Sequence, residues 1–187
     1  ERRQLAVTVF ANVVQYIIDP KMLGSIVEYG LSQYSSSLSQ HGSEVETLLT
    51  RAFRNVVTNP AILLQAAQHS YSDHTVFQMI LNYAGERVTI DILLAIVNHR
   101  KFIYDGYEKN YVSEEEITSL KQLAQQIINN PAADTRVFLA IIRRWFASPE
   151  MFDNIITITI ERSNARSIEA NSAEEVFTAL LQHTDSN

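Results

Sequence analysis

The chain has 187 residues, 46% of them hydrophobic and 19% charged, enough for one domain with a sizeable core. Its formal charge of −6 and its scattered basic pairs, Arg2-Arg3, Arg100-Lys101 and Arg143-Arg144, argue against a nucleic-acid surface, which needs clustered Lys and Arg. The absence of cysteine removes disulfides, thiolate nucleophiles and cysteine metal sites, and five glycines with four prolines leave little punctuation for a many-turned β fold.

Leu5–Ile18 is apolar and rich in β-branched residues. Val7, Phe10, Val14 and Ile17 fit helical spacing, which favours a helix ended by Asp19-Pro20. Pro20–Gln33 is a proline-led helix with Asp19 as its N-cap, since proline at the first helical position loses no hydrogen bond. A polar loop follows at Ser35–Gly42, then a helix over Ser43–Asn55. Pro60–His69, entered by Asn59, and Asp73–Ala84 form a central hairpin. Gly85 supplies the left-handed residue that ends it.

Thr89–His99 has Ile90, Leu93, Leu94 and Val97 as its expected buried set. Its entry lacks a proline, and its register slips by one against the other copies. Arg100–Asn130 breaks the pattern: Phe102, Tyr104, Tyr107 and Tyr111 surround Gly106, and a capping box at Ser113–Glu116 opens a helix to about Ile128. Asp134–Phe146 and Pro149–Arg162 resume it, the latter entered by Ser148. A second capping box, Ser172–Glu175, opens the expected final helix Val176–His183.

The elements recur. Counting from each proline, apolar residues fall at +2, +3, +6 and +7: Met22, Leu23, Ile26, Val27; Ile62, Leu63, Ala66, Ala67; Met151, Phe152, Ile155, Ile156. Asp73-His-Thr-Val-Phe-Gln-Met-Ile shares Asp, Val, Phe and Ile with Asp134-Thr-Arg-Val-Phe-Leu-Ala-Ile, and Gly42–Leu49 follows the same outline. One such hairpin cannot bury its apolar face alone, whereas several stacked hairpins can. The expected fold is all-α: an α-solenoid of stacked helical hairpins, ankyrin-like or HEAT-like, with one inserted helix. Residues 1–187 then form a single helical-repeat domain, with an N-terminal capping helix at 1–18, repeats at 19–99, an insertion at 100–130, and a repeat with a C-terminal cap at 131–187.

Asn59–Ile90 resembles the short α-helical, ankyrin-like repeats of fungal NACHT/STAND proteins, the NOD-like receptors of fungi. Asn59-Pro60-Ala61-Ile62-Leu63 matches the opening of their first helix, and Val76–Leu81 matches their second. Gly85-Glu86-Arg87-Val88-Thr89-Ile90 matches the link into the next copy. The resemblance implies a recognition or scaffolding segment beside a nucleotide-dependent switch located elsewhere.

No reaction is announced. There is no Gly-x-Ser-x-Gly elbow and no phosphate-cradling Gly-x-x-x-x-Gly-Lys-Ser/Thr, so neither catalysis nor a bound cofactor is expected. His69, Asp73 and His74 cluster at a turn, with His99 further on, and could form a metal or enzymatic site. Their spacing lacks a His-x-x-x-His face, and Asp73 is more simply an N-cap. Glu114, Glu115 and Glu116 suit a helix start through the macrodipole. Trp145 and Phe146 are expected in the core.

The aromatic cluster is the strongest candidate for contact, because tyrosine and phenylalanine are favoured where protein surfaces meet. The expected partner-binding residues are Tyr71, His74, Phe102, Tyr104, Tyr107 and Tyr111. The expected role is non-catalytic protein–protein interaction as part of a larger protein, with self-association or a structural joining role as the alternative. No apolar run is long enough to span a membrane and no signal peptide is visible, which agrees with an intracellular, cytoplasmic setting. The opening Glu1-Arg2-Arg3, with no initiator Met, reads as a piece of something longer.

Overall fold

The computed structural model describes residues 2–17, 19–36, 42–55, 60–70, 72–100, 102, 113–144, 147–165 and 169–185. Every regular element among them is helical. In chain order these are α1 (Arg2–Val13), α2 (Pro20–Ser36), α3 (Gly42–Asn55), α4 (Pro60–Gln68), α5 (His74–Ala84), α6 (Ile90–Val97), α7 (Glu114–Ile128), α8 (Thr135–Ile142), α9 (Pro149–Asn164) and α10 (Ala170–Asp185). Short 3-10 turns follow α1 and α5. The chain divides into two compact units, Glu1–Ile92 and Leu93–Asn187, with the boundary inside α6.

In the first unit α1 packs on α3, α2 on both α3 and α4, α3 on α5, and α4 on α5. Each helix therefore meets a partner two places along, as two rows of antiparallel helices do. In the second unit α7 packs on α8 and α9, α8 on α10, and α9 on α10. These are the relations among α2, α3, α4 and α5 over again. Helix α7, marked by the sequence as an insertion, holds in its unit the place that α2 holds in the first.

Local chemistry accounts for the helix starts. Pro20, Pro60 and Pro149 are each the first residue of a helix. An Asp19 carboxylate oxygen accepts from the amides of Lys21 at 2.7 Å and Met22 at 3.2 Å, capping α2. Asn59 lies outside the described residues. Ser148 has the extended backbone of a cap but makes no capping bond. Its side chain instead hydrogen-bonds the Glu150 carboxylate, which holds that acid below its usual range with help from the Glu150 amide.

Helices α4 and α9 follow the burial pattern read from their prolines, with differences that matter below. Ile62, Leu63, Ala66 and Ala67 are all buried in α4, whereas in α9 Met151 and Ile155 are buried and Phe152 and Ile156 are half-exposed. Helix α2 buries Leu23, Ile26 and Val27 but leaves Met22 exposed.

Helix α6 corrects an expectation. Its buried residues are Ile92, Leu93, Ile96 and Val97, while Ile90 and Leu94 are half-buried. The Thr89 hydroxyl accepts from the Ile92 amide at 3.5 Å, so Ile90 is the first helical residue. Counted from there, the buried set again falls at +2, +3, +6 and +7. The register does not slip; the helix starts without a proline.

The last helix is also corrected. Helix α10 begins at Ala170, and the Ser172 amide donates to the Glu169 carbonyl at 3.0 Å. Ser172 therefore sits within the first turn, not at a cap. Ala173 extends the buried line of Val176 and Leu180 by one turn, and that burial favours the earlier start. At the other end of the chain, Leu5–Ile18 is helical as expected as far as Val13, then tightens into the 3-10 turn Val14–Tyr16.

Two aspartates cap as their sequence context predicts. Asp73 accepts from the amides of Thr75 and Val76 at 3.0 and 3.1 Å, and Asp134 from Arg136 and Val137 at 2.9 and 3.4 Å. Asp73→Ala and Asp134→Ala are each expected to cost about 1 kcal/mol in urea denaturation, and Asp→Asn only a fraction of that, because asparagine also caps. Equal losses for Ala and Asn would locate the effect in the charge instead.

The two glycines of α2 make a matched test. A Cβ on Gly24 would meet only the Gln65 side chain, at 3.5 Å, whereas one on Gly30 would meet Leu49 Cδ2 at 2.9 Å. Leu49 is fully buried and has little room to give. Gly24→Ala is expected to stabilise by about 0.5–1 kcal/mol through helix propensity. Gly30→Ala should lose that gain to overpacking and come out neutral or destabilising. The shift in urea midpoint of each variant reads this directly.

Candidate binding surfaces

The helix connections share a backbone design. Near the end of a helix, the carbonyl of the next-to-last buried residue accepts from the amide three positions on, and the carbonyl of that second residue accepts from the amide three further on. Ala66, His69 and Ser72 do this at 3.2 and 2.9 Å, and Ile96, His99 and Phe102 at 3.0 and 2.8 Å. Ile127, Asn130 and Ala133 do it at 3.1 and 2.9 Å, and Ile141, Arg144 and Ala147 at 2.9 and 3.0 Å. In three of the four the very next residue, Asp73, Asp134 or Ser148, is the N-cap position of the following helix. The third residue of each set points inward: Ser72, Phe102 and Ala133 are buried and Ala147 is half-buried. Ser72 satisfies its hydroxyl by donating to the Ala66 carbonyl at 2.6 Å, so a polar side chain is accommodated where the others are apolar.

Sequence reading misses this design because Ser, Phe, Ala and Ala share no chemistry. The constant interval from a buried helix-end residue to the next cap was the available signal.

The residues expected to bind a partner are placed unevenly. His74 is the half-buried first residue of α5, and His69 is half-buried too. Phe102 is fully buried, so its ring belongs to an interior and not to a surface. Tyr71, Tyr104, Tyr107 and Tyr111 lie outside the described residues, as do Trp145 and Phe146. The Asp73 carboxylate is occupied in capping, and among the described residues no group of three His, Asp or Glu side chains is arranged to hold a metal ion. No described helix is long and apolar enough to cross a membrane.

Arginines brace the connections from a distance. Arg51 on α3 donates to the Ala11 carbonyl at 2.7 Å and Asn12 Oδ1 at 3.1 Å, where α1 ends. Arg144, just past α8, does the same to the Val97 carbonyl at 2.7 Å and Asn98 Oδ1 at 3.1 Å, where α6 ends. Each supplies a cation to carbonyls at the negative end of a helix. Burial, with Arg143 alongside, pulls the Arg144 guanidinium below its ordinary range. Arg162, in the last turn of α9, donates to the carbonyls of Asn130 and Ala133 in the link between α7 and α8.

Two apolar surfaces were not read from the sequence. On α1, Leu5, Val9 and Val13 are exposed in steps of four residues, followed by Tyr16 at 76% exposure and by Met22 on α2. In the second unit, Phe152, Ile156 and Ile160 run down one side of α9, Ile160 being 47% exposed, and Leu181 on α10 is 67% exposed. Between α9 and α10 lies a groove of about 500 Å³ whose mostly apolar lining includes Pro149, Phe152, Ile156 and Leu181 together with Asp153 and His183. The edge of the Phe152 ring meets the His183 imidazole at 5.1 Å across it. Apolar residues on more than one side of α1, interspersed with Thr8 and Asn12, were the sequence signal for the first surface.

Comparison of the chain with protein-family models, with curated proteins and with solved structures returns no match.

Proposed function

We propose that the chain is a non-catalytic recognition module: an α-solenoid of stacked helical hairpins, ankyrin-like or HEAT-like, that binds another protein as part of a larger protein. The observation that carries this reading is the recurrent connection. Its hydrogen bonds fix the backbone at four places while the two residues between its second and third bonded positions differ each time: Ser70-Tyr71, Arg100-Lys101, Pro131-Ala132 and Trp145-Phe146. A constant frame with variable residues between its fixed points is how repeat scaffolds adjust what they bind without altering how they fold. The resemblance of Asn59–Ile90 to the repeats of fungal NOD-like receptors supports the same role.

Complementarity of shape and side chain at the turn Ser70–His74 and along the Tyr104–Tyr111 stretch would do the binding. The test is capture of a defined partner from extract by the full chain. Loss of that partner on changing Tyr104 and Tyr107 together to serine, with retention on changing the exposed Lys121 to glutamine, supports the proposal. Equal capture by both variants overturns the assigned surface.

A further inference from the structure

We propose that the groove between α8 and α10 is a docking site for a lysine- or arginine-bearing segment of a protein partner. It rests on the reading of the chain as a recognition module, but not on the turn residues assigned to that role. The second unit repeats the helix pairings of the first, and two arginines align them residue by residue. Arg51 reaches Ala11 and Asn12 as Arg144 reaches Val97 and Asn98, at the same 2.7 and 3.1 Å. Thr50, one residue before its arginine, therefore corresponds to Arg143. The last helices align as well. Val76-Phe77-x-x-Ile80-Leu81 of α5 returns as Val176-Phe177-x-x-Leu180-Leu181 of α10, and Val76, Ile80, Val176 and Leu180 are all buried. Met79 then corresponds to Ala179.

At this pair of positions the two units differ. In the first, α3 and α5 meet directly: Met79 is buried, and its sulfur accepts from the Thr50 hydroxyl at 3.9 Å. In the second, the short Ala179 and the exposed Arg143 border a groove of about 450 Å³, with Leu139 half-buried in its lining. A small side chain where a large one packs leaves such a space. Glu174, Glu175 and Asn171 also line it, all exposed. Among the described residues no ion pair joins Arg143 to either glutamate. The groove thus offers two carboxylates and one guanidinium, none of them engaged with another. Helix α10 has no Lys or Arg to neutralise its own acids, so its wall favours a cation. A lysine or arginine within a polypeptide answers the whole lining. Its charged end pairs with Glu174 and Glu175, its backbone carbonyl accepts from Arg143, and its apolar stem covers Leu139 and Ala179. A bare cation would leave Arg143 and the apolar floor unanswered.

The probe is a phage library displaying random dodecapeptides, selected on the full chain, with the recovered peptides then measured by fluorescence anisotropy. They are expected to be enriched in Lys and Arg and to bind more weakly at high salt. Ala179→Met fills the groove with the side chain its counterpart already carries, and Glu175→Lys reverses the charge of one wall. Each should weaken binding at least about tenfold. Glu161→Lys makes the same charge change on an exposed site of α9 outside the groove, and should weaken it less than about twofold. Circular dichroism checks each fold, and the exposed Glu175 decides the matter should Ala179→Met unfold. Peptides without a basic bias, or binding that both groove variants leave unchanged, overturn the docking site while the recognition role stands on its own partner-capture test. A wild type that retains no peptide overturns the docking site too.

Discussion

Phe53→Ala is expected to remove about 3–5 kcal/mol of stability, the usual result of emptying a fully enclosed phenylalanine site. Phe53 has no exposed surface, and its helix, α3, packs on α1, α2 and α5, more neighbours than any other helix of the first unit. The surroundings include Leu48, Leu49 and Ala52, also fully buried on α3. A cavity there cannot be refilled by moving one neighbour, because α3 is held on several sides at once. Phe53→Leu keeps most of the volume and should cost about 1 kcal/mol. Against a typical total of about 5–15 kcal/mol, the alanine variant would leave little in reserve. Urea denaturation followed by circular dichroism measures both. An alanine variant within 1 kcal/mol of wild type would mean that α3 is not the centre of its unit.

The second large effect is expected at Arg162. Its guanidinium donates to the carbonyls of Asn130, at 3.2 Å, and Ala133, and lies over the Phe138 ring at 5.6 Å from the ring centre. Burial pulls it below the usual range for arginine, and the Asp134 carboxylate partly restores it. Arg162→Ala leaves two half-enclosed carbonyls without their charged donor, and a loss of about 2–3 kcal/mol is expected. Arg162→Met separates the packing of the stem from the hydrogen bonds and should recover only the smaller, apolar part. Arg162→Lys should also fall short, because an ammonium group cannot reproduce a planar fork that reaches two carbonyls. The defect should be the same from about pH 5 to pH 9, since arginine stays charged throughout. Full rescue by lysine would show that charge alone matters.

What could be read in the sequence was what depends on neighbours a few residues away. Proline at a helix start, aspartate at a cap, and apolar steps of three and four act within one or two turns, and Pro20, Asp73 and Asp134 took their expected places. Gly85 likewise takes the positive φ, 53°, that its position after α5 required. Misreadings arose where a start had to be guessed. With no proline to mark Ile90, the buried set of α6 was offset, and with Ser172 and Glu175 mimicking a capping box, α10 was shortened by a turn and a half.

Features that depend on distant residues were hidden. Arg51 and Arg144 find their carbonyls about forty residues or more away. Local spacing cannot announce such pairs. Nor could it distinguish the covered Leu63 and Ala67 from the uncovered Phe152 and Ile156, which occupy the same positions of the same pattern. Exposure is decided by what lies alongside. For the candidate surfaces, the tyrosine-rich stretch and the turn at His74 stood out by composition, but the constant frame beneath the turns lay in backbone bonds.

Because each helix in these units packs on one lying one or two places further along, no segment has to await the synthesis of a remote partner before it gains cover. Contacts that are short-range in sequence go with fast folding and with nucleation at many points along a chain. The same wiring bears on ancestry. A gene that copies one hairpin in place adds a layer whose binding partners are already adjacent, so growth by tandem duplication asks little of the existing core.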